Sequence, residues 1–147
     1  MANLLNDSIR QQVSEAFAEL REPVQVLFFG SEEDCQYCED TLKLVEEVTG
    51  LSDKLSVQVF DLQADAEAAA NYNVTMAPGL VIAGVDDDGP VDYGVRYAGI
   101  PSGHEFSSLI QDLILVSGRD SGLSEQTREF LAGLKEPVML QVFVTPT

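Results

Sequence analysis

Cysteine occurs only twice in this chain, and both copies fall in one stretch, Cys35-Gln36-Tyr37-Cys38, shortly after an apolar run that stops at Gly30. The run, Val24-Gln25-Val26-Leu27-Phe28-Phe29, is rich in aromatic and β-branched residues and reads as a largely buried strand. The stretch from about Cys35 to Thr49, halted by Gly50, reads as a helix whose apolar face is Leu42, Val45 and Val48. Strand, turn and helix therefore carry two thiols at positions i and i+3 on a first helical turn, close enough to join. The unpaired amides and positive dipole end of a helix amino terminus favour a thiolate at the first cysteine. A thiolate is the attacking species in disulfide exchange, so Cys35 is the expected nucleophile and Cys38 the resolving thiol. A structural disulfide framework uses several pairs, and a zinc site needs four ligands where the chain adds a single histidine, His104. On its own the pair would also suit half of a metal knuckle or two buried structural cysteines. Its strand–turn–helix context favours a local redox pair.

The remaining pattern supplies a scaffold around that pair. Ile9, Val13, Ala16, Phe17 and Leu20 give an amphipathic N-terminal helix, with Ser8 and Gln11 spaced as a capping box and Pro23 closing it. Leu55–Phe60 is a second strand, an Ala-rich helix spans about Asp65–Tyr72, and Gly79–Ala83 is a third strand. Asp86-Asp87-Asp88-Gly89-Pro90 is a hairpin-type turn into a strand near Tyr93–Ala98. Ser102 and Glu105 are spaced to cap a long helix with Phe106, Leu109, Ile110, Leu113 and Val116 on one face. The order implies an α/β sandwich with one mixed sheet, parallel at first and antiparallel at the hairpin.

Ala77-Pro78, just ahead of the third strand and about forty residues past the cysteines, is the second marked feature. A thioredoxin-like fold places a cis proline beside its dithiol at this point in the element order. A cis X–Pro bond turns the backbone sharply and leaves the preceding residue free to pair with an extended substrate. Pro78 is thus the expected cis proline, and Ala77 a candidate substrate contact. Tyr37, between the cysteines, is placed to cover the dithiol and is the other candidate substrate contact. His104 fits a structural role in a first helical turn.

Acidic residues crowd the motif: Glu32, Glu33 and Asp34 precede Cys35, and Glu39 and Asp40 follow Cys38. Negative charge opposes thiolate formation, which stabilises the disulfide relative to the dithiol. The couple is accordingly expected nearer the reducing end of the range (about −270 mV) than the oxidising extreme (about −120 mV). Over the whole chain, 25 acidic against 8 basic residues give a net charge of −17. Nucleic acid and anionic membranes are disfavoured as partners, because both need Lys and Arg to meet phosphate. The surplus suits a plainly solvated surface or adaptation to a salty cytoplasm. The longest apolar runs are too short to span a bilayer, and no secretory leader is visible, so a cytoplasmic location is expected.

The C-terminal part does not fit the same unit. Leu123–Leu134 reads as a further helix and Glu136–Val144 as a further strand. Leu134-Lys135-Glu136-Pro137-Val138 repeats Leu20-Arg21-Glu22-Pro23-Val24 at an offset of 114 residues. The predicted division is a redox unit over 1–118 and, over 119–147, the helix and strand that begin a second, truncated unit. A lone helix and strand cannot bury their apolar faces, so self-association through the C-terminal strand is expected.

With the repeated α/β unit, Cys35-Gln36-Tyr37-Cys38 and Ala77-Pro78 in place, the chain resembles the N-terminal half of the protein disulfide oxidoreductases. These glutaredoxin-like proteins of archaea and thermophilic bacteria carry two thioredoxin-fold units, each with its own C-x-x-C. Gly94-Val95-Arg96-Tyr97-Ala98-Gly99-Ile100-Pro101, running into Gly103-His104-Glu105-Phe106, is similar to that family's last hairpin and helix. Val142-Phe143-Val144-Thr145-Pro146-Thr147 resembles the strand that leads into its second C-x-x-C. The resemblance implies a thioredoxin-like three-layer α/β fold with a central mixed sheet flanked by helices. It implies Cys35 as nucleophile, Cys38 as resolving thiol and Pro78 as cis proline, acting on protein disulfides without a further cofactor. It also implies recycling by a thioredoxin-reductase-type flavoprotein. Thioredoxins proper carry Trp just before the first cysteine and a buried acid in the preceding strand; here Asp34 takes the first place and Val24–Phe29 holds no acid. Two other functions fit the residues. One is an electron-relay domain like the N-terminal domain of the flavoprotein component of alkyl hydroperoxide reductase. The other is a scaffold whose dithiol holds zinc or an iron–sulfur group between two chains.

Overall fold

The computed structural model describes residues 3–145. The alternation of β1 (Val24–Gly30) sends Val24, Val26 and Phe28 to one face and Leu27 and Phe29 to the other, all of them buried. A strand apolar on both faces must be covered twice, and the sheet is. On one side lie α1 (Asp7–Ala16, continued by a short 3-10 turn at Phe17–Glu19), α2 (Cys38–Thr49) and α4 (His104–Gly118). On the other side α3 (Ala66–Asn71) brings Ala69, with Tyr72 beyond its end, over Leu27, Phe29 and Val81. The result is the expected three-layer α/β arrangement.

The sheet is four-stranded and mixed. Parallel β2 (Leu55–Asp61) lies on one flank of β1, and antiparallel β3 (Gly79–Asp86) on the other. β4 (Gly89–Ala98) pairs antiparallel with β3 through the expected tight turn, but more residues extend than the pattern suggested. The register slips between Ile82, paired with Val95, and Ala83, paired with Asp92, so Tyr93 and Gly94 bulge from the edge strand. β2 and β4 are the sheet's edges.

Two capping expectations are corrected. Asn6, not Ser8, caps α1: its side chain accepts a 2.9 Å hydrogen bond from the Ile9 amide. The helix begins two residues before the expected box, because an Asn with extended backbone fills the cap position first. Ser102 does not cap α4; the cap residue is Gly103, at φ 62°, a left-handed conformation that glycine takes at little cost.

Two charged groups fasten the chain's outlying segments. Glu47 of α2 accepts from the Leu4 and Leu5 amides at 2.7 and 3.0 Å and meets Arg10 at 3.5 Å. Burial opposes ionisation of its carboxyl, but the two amides and the cations Arg10 and Lys43 outweigh it, and its pKa falls below the ordinary 4.5. A carboxyl depressed on folding stabilises the fold above its unfolded pKa and loses that effect as pH falls through the folded value. The stability difference between the native protein and Glu47→Gln should therefore be full at pH 7 and shrink as pH falls below about 4.5, as urea unfolding would measure. At the other end of α4, Arg119 adopts φ 53° and its guanidinium donates to the carbonyls of Val116, Pro23 and Val85. Gly84 lies beneath it: a Cβ there would come within 2.6 Å of Arg119 Nη1.

The C-terminal segment departs from the expectation in part. α5 (Glu125–Ala132) forms, capped by Ser124, but buries no residue. Residues 136–144, read as a strand, form no ladder, and Phe143 is 90% exposed. An apolar alternating sequence makes a strand only where a neighbouring backbone accepts its hydrogen bonds. No helix among the described residues is long and apolar enough to cross a membrane.

Candidate active site

The site is assembled at the end of β1 where the chain leaves the sheet for α2. Cys35 and Cys38 are joined as a disulfide, with their Cα atoms 5.5 Å apart. Cys38 is buried and Cys35 half-buried, so the first sulfur is the one a partner can reach. The helix opens later than the sequence suggested. Its first residue is Cys38, with Tyr37 as cap, and Cys35 lies in the turn ahead of it. The Tyr37 carbonyl is the acceptor that starts the helix, taking the Thr41 amide at 2.9 Å and the Thr41 hydroxyl at 2.6 Å. Cys35 thus sits just beyond the helix's amino end, still within range of its unpaired amides.

Around the pair, Ala77-Pro78 is a cis peptide bond. Pro78 is buried, and its carbonyl accepts from Gly99 at 2.8 Å, which ties this loop to the end of β4. The residue after it, Gly79, is paired with Phe29 across the sheet, which brings the proline loop beside the strand end that leads to the cysteines. Cys35, Cys38 and Ala77 pack against one hydrophobic cluster. Tyr37 is half exposed, and Met76, which the sequence reading passed over, is 65% exposed next to Ala77. Glu32, Glu33, Asp34, Glu39 and Asp40 all face water, where solvent screens each of them. His104 stands exposed in the first turn of α4.

Asp61 is the second residue the sequence reading missed. One carboxylate oxygen accepts from the Gln63 and Ala64 amides at 2.9 and 2.8 Å. The other accepts from the Glu32 amide at 3.2 Å, tethering the loop before Cys35 to the end of β2. These amides hold the carboxyl below its ordinary pKa, those of Ala64 and Gln63 foremost. An Asp followed at +2 and +3 by free amides is a turn signal that could have marked it. In Asp61→Asn the single oxygen serves the two turn amides, and the amide nitrogen then faces the Glu32 N–H, donor against donor. The Glu32 amide should exchange with deuterium several-fold faster in that variant, with the Gln63 and Ala64 amides little changed.

The sequence pattern described as the thioredoxin domain matches residues 23–111. The chain belongs to the thioredoxin-domain family. Among solved structures, a protein disulfide oxidoreductase from Aeropyrum pernix superposes with TM-score 0.76 at 29% identity, over 88% of this chain and 55% of that one. The N-terminal domain of alkyl hydroperoxide reductase AhpF from Enterococcus faecalis gives 0.75 at 25% identity, over 85% and 58%. Among curated proteins, the alkyl hydroperoxide reductase AhpF of Pseudomonas aeruginosa is 27% identical over 90% of this chain. An NADH dehydrogenase of Bacillus subtilis is 30% identical over 79% of it. The chain spans about a fifth of the length of these two curated relatives, 22% and 19%. As a thioredoxin-domain protein with a joined C-x-x-C pair, it shares its fold with both a disulfide oxidoreductase and an AhpF domain.

Proposed function

We propose that this thioredoxin-domain protein is a thiol–disulfide oxidoreductase that passes two electrons between its Cys35/Cys38 pair and disulfides of proteins. The observation that carries the reading is the joined pair itself, with the half-buried sulfur beyond a helix amino end and the buried one behind it. In the reducing direction the Cys35 thiolate attacks one sulfur of a substrate disulfide. An S–S bond forms between them, and the second substrate sulfur leaves as a thiolate that takes up a proton. Cys38, having lost its proton, then attacks Cys35 Sγ. The internal disulfide closes and the first substrate sulfur departs as the second thiol. Two electrons and two protons have moved to the substrate, and a flavoprotein of the thioredoxin-reductase class is the proposed source that restores the dithiol. Tyr37, half exposed between the cysteines, and Ala77, half-buried ahead of the cis proline, are the proposed substrate contacts, with Pro78 shaping the loop.

Reduction of insulin by dithiothreitol tests the reading: catalytic amounts of the protein should shorten the lag before the insulin chains precipitate. Equilibration against glutathione separates two outcomes: a couple in the reducing range, about −270 mV, if the acids around the pair act together on the thiolate, and a value above about −180 mV if water screens them fully. A second reading, an electron-relay domain serving a peroxide-reducing flavoprotein, is favoured by the similarity to the AhpF proteins. It predicts much faster reduction of the pair by a flavoprotein of that kind than by dithiothreitol. The segment from residue 119 onward is proposed as the opening of a second unit. Supporting this, Leu123, Phe130, Leu131 and Leu134 lie 114 positions beyond Ile9, Ala16, Phe17 and Leu20, and they are exposed where those earlier residues pack into the core.

A further inference from the structure

A groove of about 380 Å³ runs beside Cys38, between the start of α2 and the end of β2. Its floor is apolar: Phe28 is buried, Leu42 is partly buried, and Val59, on the sheet's edge strand β2, is 53% exposed. Gly30 keeps the inner end open; a Cβ there would meet the Phe28 ring at 2.8 Å and approach Cys38 Sγ to 3.7 Å. The rim is one-signed. Glu32, Glu39 and Asp61 line it, and no Lys or Arg does. An exposed apolar floor with a charged border of one sign is the form of a protein-binding surface rather than of a solvated flank.

We propose that this groove docks the polypeptide segment flanking the cysteine under exchange, and that it selects a basic segment carrying an apolar anchor. The assignment rests on the dithiol function proposed above and names the substrate class of that same site. Cys35 Sγ is bonded to Cys38, and Cys38 lines the groove, so a substrate cysteine joined to Cys35 stands at the groove's mouth. An extended chain advances roughly 3.3 Å per residue, which brings side chains one to three positions from that cysteine over the groove. There an apolar side chain covers Val59 and Leu42, while a neighbouring Lys or Arg meets Glu32, Glu39 and Asp61.

The test must separate this local selection from the attraction of any cation to a chain of net charge −17. Three synthetic peptides serve as probes, each with one cysteine held as a mixed disulfide with thionitrobenzoate. The first carries Leu and two Arg beside the cysteine, the second replaces Arg by Glu, and the third replaces Leu by Ser. With the full chain in its reduced form and in excess, the single-turnover second-order rate constant for thionitrobenzoate release from the first should exceed that for the second about tenfold, and the ratio should fall with salt. The double variant Glu32→Gln/Glu39→Gln should lose most of that ratio. Asp87→Asn/Asp88→Asn, the same charge change at the β3–β4 hairpin on the opposite end of the sheet, should keep it. Val59→Ser should erase the preference of the first peptide over the third. A ratio that survives at the groove variant, or falls equally in the hairpin variant, would overturn the docking assignment. Ready reduction of the small aromatic disulfide 5,5′-dithiobis(2-nitrobenzoate) without any peptide preference would overturn docking alone. Failure to reduce that small disulfide would overturn the redox reading itself, and docking with it.

Discussion

Protein carrying Cys35→Ser should show no disulfide exchange above the uncatalysed background, whereas Cys38→Ser should complete the first displacement and stop there. The two outcomes differ because the two sulfurs differ in access. Cys35 lies half-buried in the turn before α2, and Cys38 is buried as the helix's first residue. Without Cys35 the remaining thiol is the less accessible of the two, buried as the helix's first residue, and a serine hydroxyl at position 35 is not ionised near neutral pH. Without Cys38 the mixed disulfide forms between Cys35 and the substrate but nothing displaces it. Non-reducing electrophoresis should then show a covalent adduct of Cys38→Ser with insulin chains that dithiothreitol releases. Turnover that persists in Cys35→Ser and vanishes in Cys38→Ser would reverse the assignment of nucleophile and resolving thiol.

Phe29→Ala should be among the most destabilising single changes in the chain. The ring is fully buried, stacks on Phe60 with centroids 4.9 Å apart and 14° between planes, and leans on Tyr72 at 6.2 Å. It is the largest member of the small cluster beneath α3, where Leu27, Val81 and Ala69 are its buried companions. A short helix cannot collapse far enough to refill the space, so the loss should be at the full value for a large core truncation, about 3–5 kcal/mol. Against the roughly 5–15 kcal/mol that holds an ordinary domain together, that is a large share. Urea unfolding should show the midpoint falling with little change in slope. A loss under about 1 kcal/mol would mean that the space beneath α3 is already loosely filled.

Much of the frame was legible because its signals are local and strong. The apolar run of β1, the Gly stops at 30 and 50, the turn residues of the β3–β4 hairpin and the long apolar face of α4 each reflect short-range chemistry. The dithiol was legible for the same reason: two cysteines after a strand leave few alternatives, and element order then located Pro78. What escaped reading depends on partners far along the chain or on the backbone conformation at an element's end. Asp61 looks like any strand-ending acid until Glu32, 29 residues earlier, is folded against it. The start of α2 moved from Cys35 to Cys38 because the Tyr37 carbonyl, not an earlier one, receives the first helical bonds. Asn6 and Gly103 took cap positions that a simple box pattern assigned to Ser8 and Ser102, since cap choice follows backbone conformation as well as side-chain type. The segment 136–144 has the composition of a strand and lacks a neighbouring backbone to make it one. Its sequence specifies a preference that only another strand can realise.

The contact between Gly84 and Arg119 has a consequence for how this sequence can drift. The guanidinium is the far end of a flexible side chain and would ordinarily move aside for a methyl group, but three carbonyls from three different segments hold it in place. Any side chain at position 84 therefore dislodges the arginine, and any shorter residue at 119 removes a donor from all three carbonyls, leaving Val116 and Pro23 only their backbone amide partners, while opening room at 84. The two sites should be inherited as a pair: lineages that enlarge one should be those that have already trimmed the other.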